Sequence, residues 1–360
     1  MVSLAASAGL DSYVDVIQGH LSSFDFLPSW VSTWHGRNII SDGPTVQAEA
    51  VLVRELYGAL RDLPSFKGLT VGNECNQFLG GAHPLGMKDS SKDVDSWLQS
   101  PIGPLASQVD QDGRIIVHSE DDAVWYLPGH AFTPSHQGRI GSLSVIHAWV
   151  FNGVAQKYGP LSQEAVRHGQ YSAELAKAYE NHPHRPVWVQ EIGAPLNVMR
   201  REEAPAFMRQ SVENLMLVSD LYGITWWCSH DVSRSLADFP PLEYDLGLFD
   251  QEGKLKELGR GFADVVAVYG SRQSGPEANQ GRSAFILPDD PDGIPGMREA
   301  CAPGGNVFEE WMRRASSGDF PAFVSQGNAE DQVYRSERDL EEARFLPAVQ
   351  FMDGQRLGSC

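Results

Sequence analysis

The chain has 360 residues, enough for one large domain and a small extra one. Hydrophobic residues make up 42% and charged residues 21%, a globular mix, and no apolar run is long enough to offer a membrane span. With 28 Lys and Arg against 47 Asp and Glu, the net charge of −19 opposes contact with nucleic acid or anionic membrane surfaces and leaves neutral substrates such as sugars unopposed.

The chain opens on Met1–Leu10 (MVSLAASAGL), small and mildly apolar without a basic start, which reads as a helix fragment rather than a secretion signal. The first apolar run, Tyr13–Ile17, is a strand. After a long loop comes a helix over Val46–Leu60, where Val46, Ala50, Val53, Leu56 and Leu60 recur every three or four positions. Gly68–Gly72 is the next strand, followed by a helix over Val94–Val109. Ile115–His118 and Ser144–His147 are the third and fourth strands. A helix over Ser162–Tyr179 starts at Ser162, with Ala165 where a capping-box acid would sit, and presents Ala165, His168, Ser172, Leu175 and Tyr179 on one face. Val187–Gln190 is a strand, Pro205–Leu221 a helix with the stripe Met208, Val212, Leu215 and Val218, Gly223–Trp227 a strand, and Leu258–Val268 a helix.

Strand then helix, repeated, predicts a parallel sheet covered by helices, and the nearly continuous apolar strands predict burial on both faces. Six such units are visible where a closed (β/α)8 TIM barrel needs eight, so roughly 60 residues are expected to be missing upstream. The reading is an α/β barrel over residues 1–269 that lacks its first two strand–helix units. Such a barrel exposes strand edges and apolar surface and is expected to be poorly stable or to associate with itself. Beyond it, residues 270–360 turn Gly-, Pro- and Asp-rich and hold the strand candidates Ala284–Leu287 and Pro321–Ser325 around a helix at Asn306–Arg314, a small βαβ-like accessory region. A last helix is expected around Ser336–Arg344. The cysteines Cys75, Cys228, Cys301 and Cys360 show no metal or disulfide spacing, which fits a reducing cytoplasm.

Two glutamates stand out. Glu74 follows Gly68–Gly72 in the run Gly72-Asn73-Glu74, and Glu191 follows Val187–Gln190 in the run Gln190-Glu191-Ile192-Gly193. Both sit at C-terminal ends of strands, where barrel enzymes carry their chemistry, and strands three steps apart face one another across a barrel mouth. Glycoside hydrolysis needs such a pair, one carboxyl protonated to donate to the leaving oxygen and one ionised to attack the anomeric carbon. Against this stands the reading of both as solvated loop carboxylates.

An Asn-Glu pair after the fourth strand and a lone Glu after the seventh resemble the signature of the retaining clan of (β/α)8 glycosidases, with the cellulase-like glycoside hydrolase family five the nearest fit. If the absent strands are the first two, Glu74 falls on strand four and Glu191 on strand seven. The resemblance covers about residues 10–268. It implies Glu74 as proton donor, Glu191 as nucleophile and Asn73 as the contact to the sugar 2-hydroxyl. It also implies a site role for His147, with Trp149 standing where the family's nucleophile-steadying tyrosine would be. Trp226 and Trp227 match the strand-eight tryptophan under the sugar, and Leu246–Lys256 resembles the family's closing loop. The runs Ser119–Trp125 and Gly19–Trp30 resemble an actinobacterial and bifidobacterial β-mannosidase subfamily that acts on the N-glycan core.

Other residues carry two readings each. Trp226 and Trp227 are consecutive, so only one can face the mouth. Asp121 and Asp122 either bind sugar hydroxyls or start a helix. His20, Trp30 and Trp125 are loop aromatics near the expected mouth, and His147 is either a site residue or a satisfied core histidine. His182 and His184 precede a strand, at the stability face of a barrel, and no metal is expected there. Cys75, beside Glu74, has no His placed to activate it. The expected activity is retaining hydrolysis of a β-mannosidic bond, exo-acting on a mannosyl-N-acetylglucosamine oligosaccharide, without cofactor. An endo-β-mannanase or endo-β-glucanase is the alternative enzyme, and a non-catalytic carbohydrate-binding barrel the alternative of another class.

Overall fold

A computed structural model describes residues 1–18, 20–21, 24–25, 27–31, 37–79, 88–272, 274–275, 282–289 and 296–351. The chain divides into two compact units, one of residues 1–124 with 129–145, the other of 125–128 with 146–360.

The first unit is organised by a parallel sheet of β1 (Ser12–Gln18), β4 (Phe66–Asn73) and β5 (Ile115–Ser119), with β4 in the middle. Between β1 and β4 the short strands β2 (His20–Leu21) and β3 (Phe24–Asp25) pair antiparallel. The helix predicted from Val46 begins earlier, at Gly43, because the Asp42 carboxylate accepts the Thr45 N–H at 3.1 Å and its hydroxyl at 2.6 Å while Pro44 presets the first turn. It buries Tyr57 edge-on against Phe66 of β4, with ring centroids 6.1 Å apart. The helix expected over Val94–Val109 is two, Ser91–Ile102 and Ala106–Gln111. Pro104 lies between them and has no N–H to continue the ladder. Trp97 of the first lies on the backbone of β4, so close that a β carbon on Gly72 would sit 2.8 Å from its ring.

The second unit holds the parallel sheet β6 (Ser144–His147, entering this unit at Ile146), β7 (Val187–Ile192) and β8 (Leu221–Trp226). The predicted six strands of the α/β pattern are all present. β6 and β7 are buried throughout, but β1 and β8 are not: Tyr13, Asp15 and Tyr222 are exposed. Each lies at one end of its sheet, as the buried β5 and β6 also do, and the expected burial on both faces fails at β1 and β8 alone among the six. Along β8 a cavity of about 590 Å³ is lined by Met216, Tyr222, Trp226, Phe262, Val265 and Tyr269. The helix predicted to reach Leu221 covers only Ala204–Leu215, and Asp220, at φ +55, turns the chain into β8. Its predicted stripe is nevertheless buried.

The helix read over Ser162–Tyr179 is interrupted at Arg167 into Gln163–Val166 and His168–Ala176, with a 3-10 turn at Lys177–Tyr179. Every residue from His168 to Ala176 is buried, not one face alone. The C-terminal region supplies the second cover. Tyr171 packs edge-on against Phe308, Trp311 and Phe323, with ring centroids 5.0, 5.3 and 5.6 Å away. Burying such large side chains stabilises by about 2 kcal/mol each. The region itself is a parallel sheet of β9 (Ser283–Leu287), β10 (Ala322–Ser325) and β11 (Arg344–Pro347) in the order β10-β9-β11. The helix expected over Ser336–Arg344 is a correction: it spans Gln332–Glu337, Asp339 takes φ +52, and the residues from Arg344 onward form β11. Its local sequence is helix-compatible; the pairing with β9, some 60 residues earlier, decides otherwise.

Candidate active site

β4 ends on Asn73, and its final ladder bond is made by the next residue: the Glu74 N–H donates to the Ser119 carbonyl at 2.9 Å. Glu74 takes φ +48, unusual for a side chain with a β carbon, and the chain passes at once into the 3-10 turn Cys75–Leu79. That turn returns Gln77, whose amide donates to Glu74 Oε2 at 2.6 Å. The carboxyl is half-buried. Cys75 points away, buried with its sulfur 3.9 Å from the Ile17 carbonyl, as expected of a packing residue.

Asn73 is buried, and its Oδ1 accepts the Ser119 hydroxyl at 3.1 Å. The residues on either side of Ser119 face the other way. His118 Nδ1 lies 2.7 Å from Glu120 Oε1, and Gln137 donates to Glu120 Oε2 and, at 2.9 Å, to the His118 carbonyl. Burial pushes the Glu120 carboxyl up, but the His118 charge and the bonds from His118 and Gln137 outweigh it and hold it below the usual range. Burial, then the His118 charge, lowers His136 to about 4. This buried polar network was not anticipated; the alternation His118-Ser119-Glu120 at a strand end was its only sequence trace.

In the second unit, Glu191 lies on β7 itself, which runs two residues beyond its expected end. The Trp149 indole N–H donates to Glu191 Oε2 at 3.1 Å, and His147 Nδ1 stands 3.5 Å from the same oxygen. The other His147 nitrogen is 3.3 Å from Gln190 Oε1. His147 and Trp149 thus belong to the surroundings of Glu191, and the indole supplies the donor that a tyrosine hydroxyl would. Gly193 leaves the room: a β carbon there would lie 2.7 Å from the Trp227 carbonyl and 2.8 Å from the Trp149 ring.

Trp226 is buried with its ring 6.5 Å from Phe207 of the helix Ala204–Leu215, so it belongs to the layer between strand and helix. Trp227 follows the end of β8, half-buried, and its N–H donates to the Ile192 carbonyl at 2.8 Å.

Other expectations are revised. Trp125 is not a mouth residue; it lies 1% exposed within the second unit, edge-on to Tyr179 at 6.0 Å. A short helix, Ala123–Tyr126, turns it inward. Asp121 serves that helix: its Oδ1 accepts the Ala123 N–H at 3.0 Å and the Asn76 amide at 2.6 Å, and its own N–H donates back to Asn76 at 3.2 Å. The helix-start reading therefore describes Asp121, while Asp122 is half-buried beside it. Trp30 is exposed in a turn. His20 is placed in β2 by its backbone, and its side chain lies outside the described residues. His184 sits 3.5 Å from Asp220, just before β8, at the opposite end of the β7–β8 pair from Glu191.

No protein-family model and no curated protein matches the chain. Solved structures do. A GH5_18 from Bifidobacterium longum subsp. infantis is 44% identical, with a TM-score of 0.90, over 96% of this chain and 80% of that one. A GH5_18 variant from Bifidobacterium longum subsp. longum, in complex with Manβ1-4GlcNAc, is 42% identical with a TM-score of 0.89, over 96% and 80%. A GH5_18 variant from Streptomyces cattleya, in complex with the same disaccharide, is 41% identical with a TM-score of 0.88, over 96% and 82%. The chain shares with them the α/β fold of the (β/α)8 barrel enzymes.

Proposed function

The chain belongs to the GH5_18 group of glycoside hydrolase family 5, and we propose that it is a retaining β-mannosidase that releases mannose from mannosyl-N-acetylglucosamine. The observation that carries this is the likeness, across 96% of the chain, to enzymes crystallised with Manβ1-4GlcNAc.

In this reading Glu191 and Glu74 converge on one glycosidic bond. A Glu191 oxygen forms a bond to the anomeric carbon as the bond to the leaving oxygen breaks, and the Glu74 proton passes to that oxygen. Glu74 then takes a proton from water, whose oxygen displaces Glu191 and restores the anomeric configuration. Support comes from the position of each carboxyl at the C-terminal end of a parallel strand and from the Trp149 bond, which favours an ionised, oriented Glu191. Two carboxyls suffice, so the mechanism calls for no cofactor. Trp227 is the better candidate to lie under the sugar. The proposal keeps the protein in the cytosol, on its cysteine usage, and expects self-association through the exposed strand β8, which sedimentation velocity reads.

Turnover of aryl β-mannoside, aryl β-glucoside and the mannosyl-N-acetylglucosamine disaccharide tests the function. Preference for the disaccharide and the mannoside is expected. Cleavage confined to long β-mannans or β-glucans would replace it with an endo-acting enzyme, and sugar binding without turnover would replace it with a binding barrel. Glu191→Gln is expected to abolish turnover, whereas Glu74→Ala keeps slow hydrolysis of substrates with good leaving groups. Equal residual activity in the two variants voids the assignment of roles. A liganded crystal structure should find the two carboxyls about 5 Å apart; about 9 Å contradicts retention.

A further inference from the structure

Ser119 closes β5 and is fully buried, directly across the ladder from Asn73. It is tied twice to the turn that bears Glu74: its carbonyl receives the Glu74 N–H, and its hydroxyl donates to Asn73 Oδ1. A carboxamide has one acceptor atom and one NH2 group of nearly the same shape, so an unheld Asn can turn over and exchange them. With Oδ1 accepting the Ser119 proton at 3.1 Å, the orientation that keeps the NH2 as a donor to another partner is the one held; the turned-over amide would need the hydroxyl to reverse its role and accept. The His118–Glu120–Gln137 network on the other side of β5 holds the strand end in place, since displacing it would strand buried polar groups.

We propose that Ser119 is a positioning residue, holding the Asn73 carboxamide so that its NH2 meets the 2-oxygen of the bound sugar; this rests on the glycosidase reading above. The 2-oxygen contact strengthens as the anomeric carbon gains positive character, so an amide turned the wrong way presents an oxygen where a donor is needed and raises the barrier. No side chain of Ser119 reaches the sugar; it acts through Asn73.

The test pairs enzyme and substrate changes. Ser119→Ala and Ser119→Thr are assayed on an aryl β-mannoside and on the same glycoside lacking its 2-hydroxyl. On the mannoside, kcat/KM of Ser119→Ala is expected to fall about tenfold, the order of one hydrogen bond, with Ser119→Thr restoring most of it. On the 2-deoxy substrate the parent and Ser119→Ala should be equal. Equal loss on both substrates overturns the proposal, because a merely structural role does not distinguish them. A parent protein that cleaves neither substrate overturns the mannosidase reading instead. The orientation is then read by neutron or atomic-resolution diffraction from Ser119→Ala crystals: a turned or split Asn73 amide supports the proposal and an unchanged one overturns it. Ser119→Cys, nearly isosteric and a weak donor, serves with the same readouts if the alanine variant does not fold.

Discussion

Trp149 donates its indole N–H to Glu191 across 42 residues of sequence, at 3.1 Å. The bond does for this carboxylate what a phenol would do, with a different reach. Phenol O–H is both donor and acceptor, whereas an indole N–H only donates, so Trp149 bonds the ionised carboxylate more strongly than the neutral acid and cannot accept the acid's proton. Trp149→Phe keeps the ring and deletes the donor. A hydrogen bond to a charged group is worth about 2 kcal/mol, so kcat/KM is expected to fall roughly 30-fold. The thermal midpoint should change little. Unaltered kinetics would remove Trp149 from the mechanism.

Gly193 tests the same geometry from behind. Gly193→Ala puts a carbon 2.7 Å from the Trp227 carbonyl and 2.8 Å from the Trp149 ring, far inside contact distance. The ring must move, and it carries the donor with it. Activity is expected to drop at least as far as in Trp149→Phe while the protein stays folded by circular dichroism. Full activity in a folded Gly193→Ala variant would show that the ring yields without losing its bond.

Glu49 gives the first unit a pH dependence. Burial pushes its carboxyl up to about 8, against the Trp97 N–H bond at 2.8 Å that favours the ionised form. Its ordinary value is 4.5, so between 4.5 and about 8 the folded chain holds a proton that the unfolded chain releases. The stability tied to Glu49 is therefore fully present below 4.5 and is lost as pH rises through 8. Glu49→Gln keeps an acceptor for Trp97 and cannot ionise. Calorimetry should find its thermal midpoint above the parent's at pH 8 and close to it near pH 4.5. Parallel curves would dismiss the effect.

Tyr171 is the aromatic by which the helix His168–Ala176 packs on Phe323 of the C-terminal sheet, beside the Glu174–Arg282 ion pair at 3.5 Å. Its hydroxyl also donates to the Cys301 carbonyl at 2.6 Å. Tyr171→Ala is expected to cost about 4 kcal/mol in urea unfolding, the range of a large aromatic lost from a core. Protease sensitivity should rise first within residues 282–351. A loss below about 1 kcal/mol would mean that the sheet is held elsewhere.

What could be read from the chain alone was local. Apolar runs followed by helical periodicity marked the six parallel strands, because burying a strand or a helix face writes its own period into the sequence. The glutamates at the ends of two such runs were legible for the same reason, since position along a strand is a matter of counting. What the tertiary structure decided were relationships between distant residues. Trp125 looked like a loop aromatic and is core, because a short helix turned it inward. The helix expected to reach Arg344 stops at Glu337, with Asp339 at φ +52, and Arg344–Pro347 pairs with β9 as a strand. The donors to Asn73 and Glu191, Ser119 and Trp149, lie 46 and 42 residues from their acceptors. Hydrogen bonds of that kind depend on where the backbone brings two side chains, and no window of sequence records that distance.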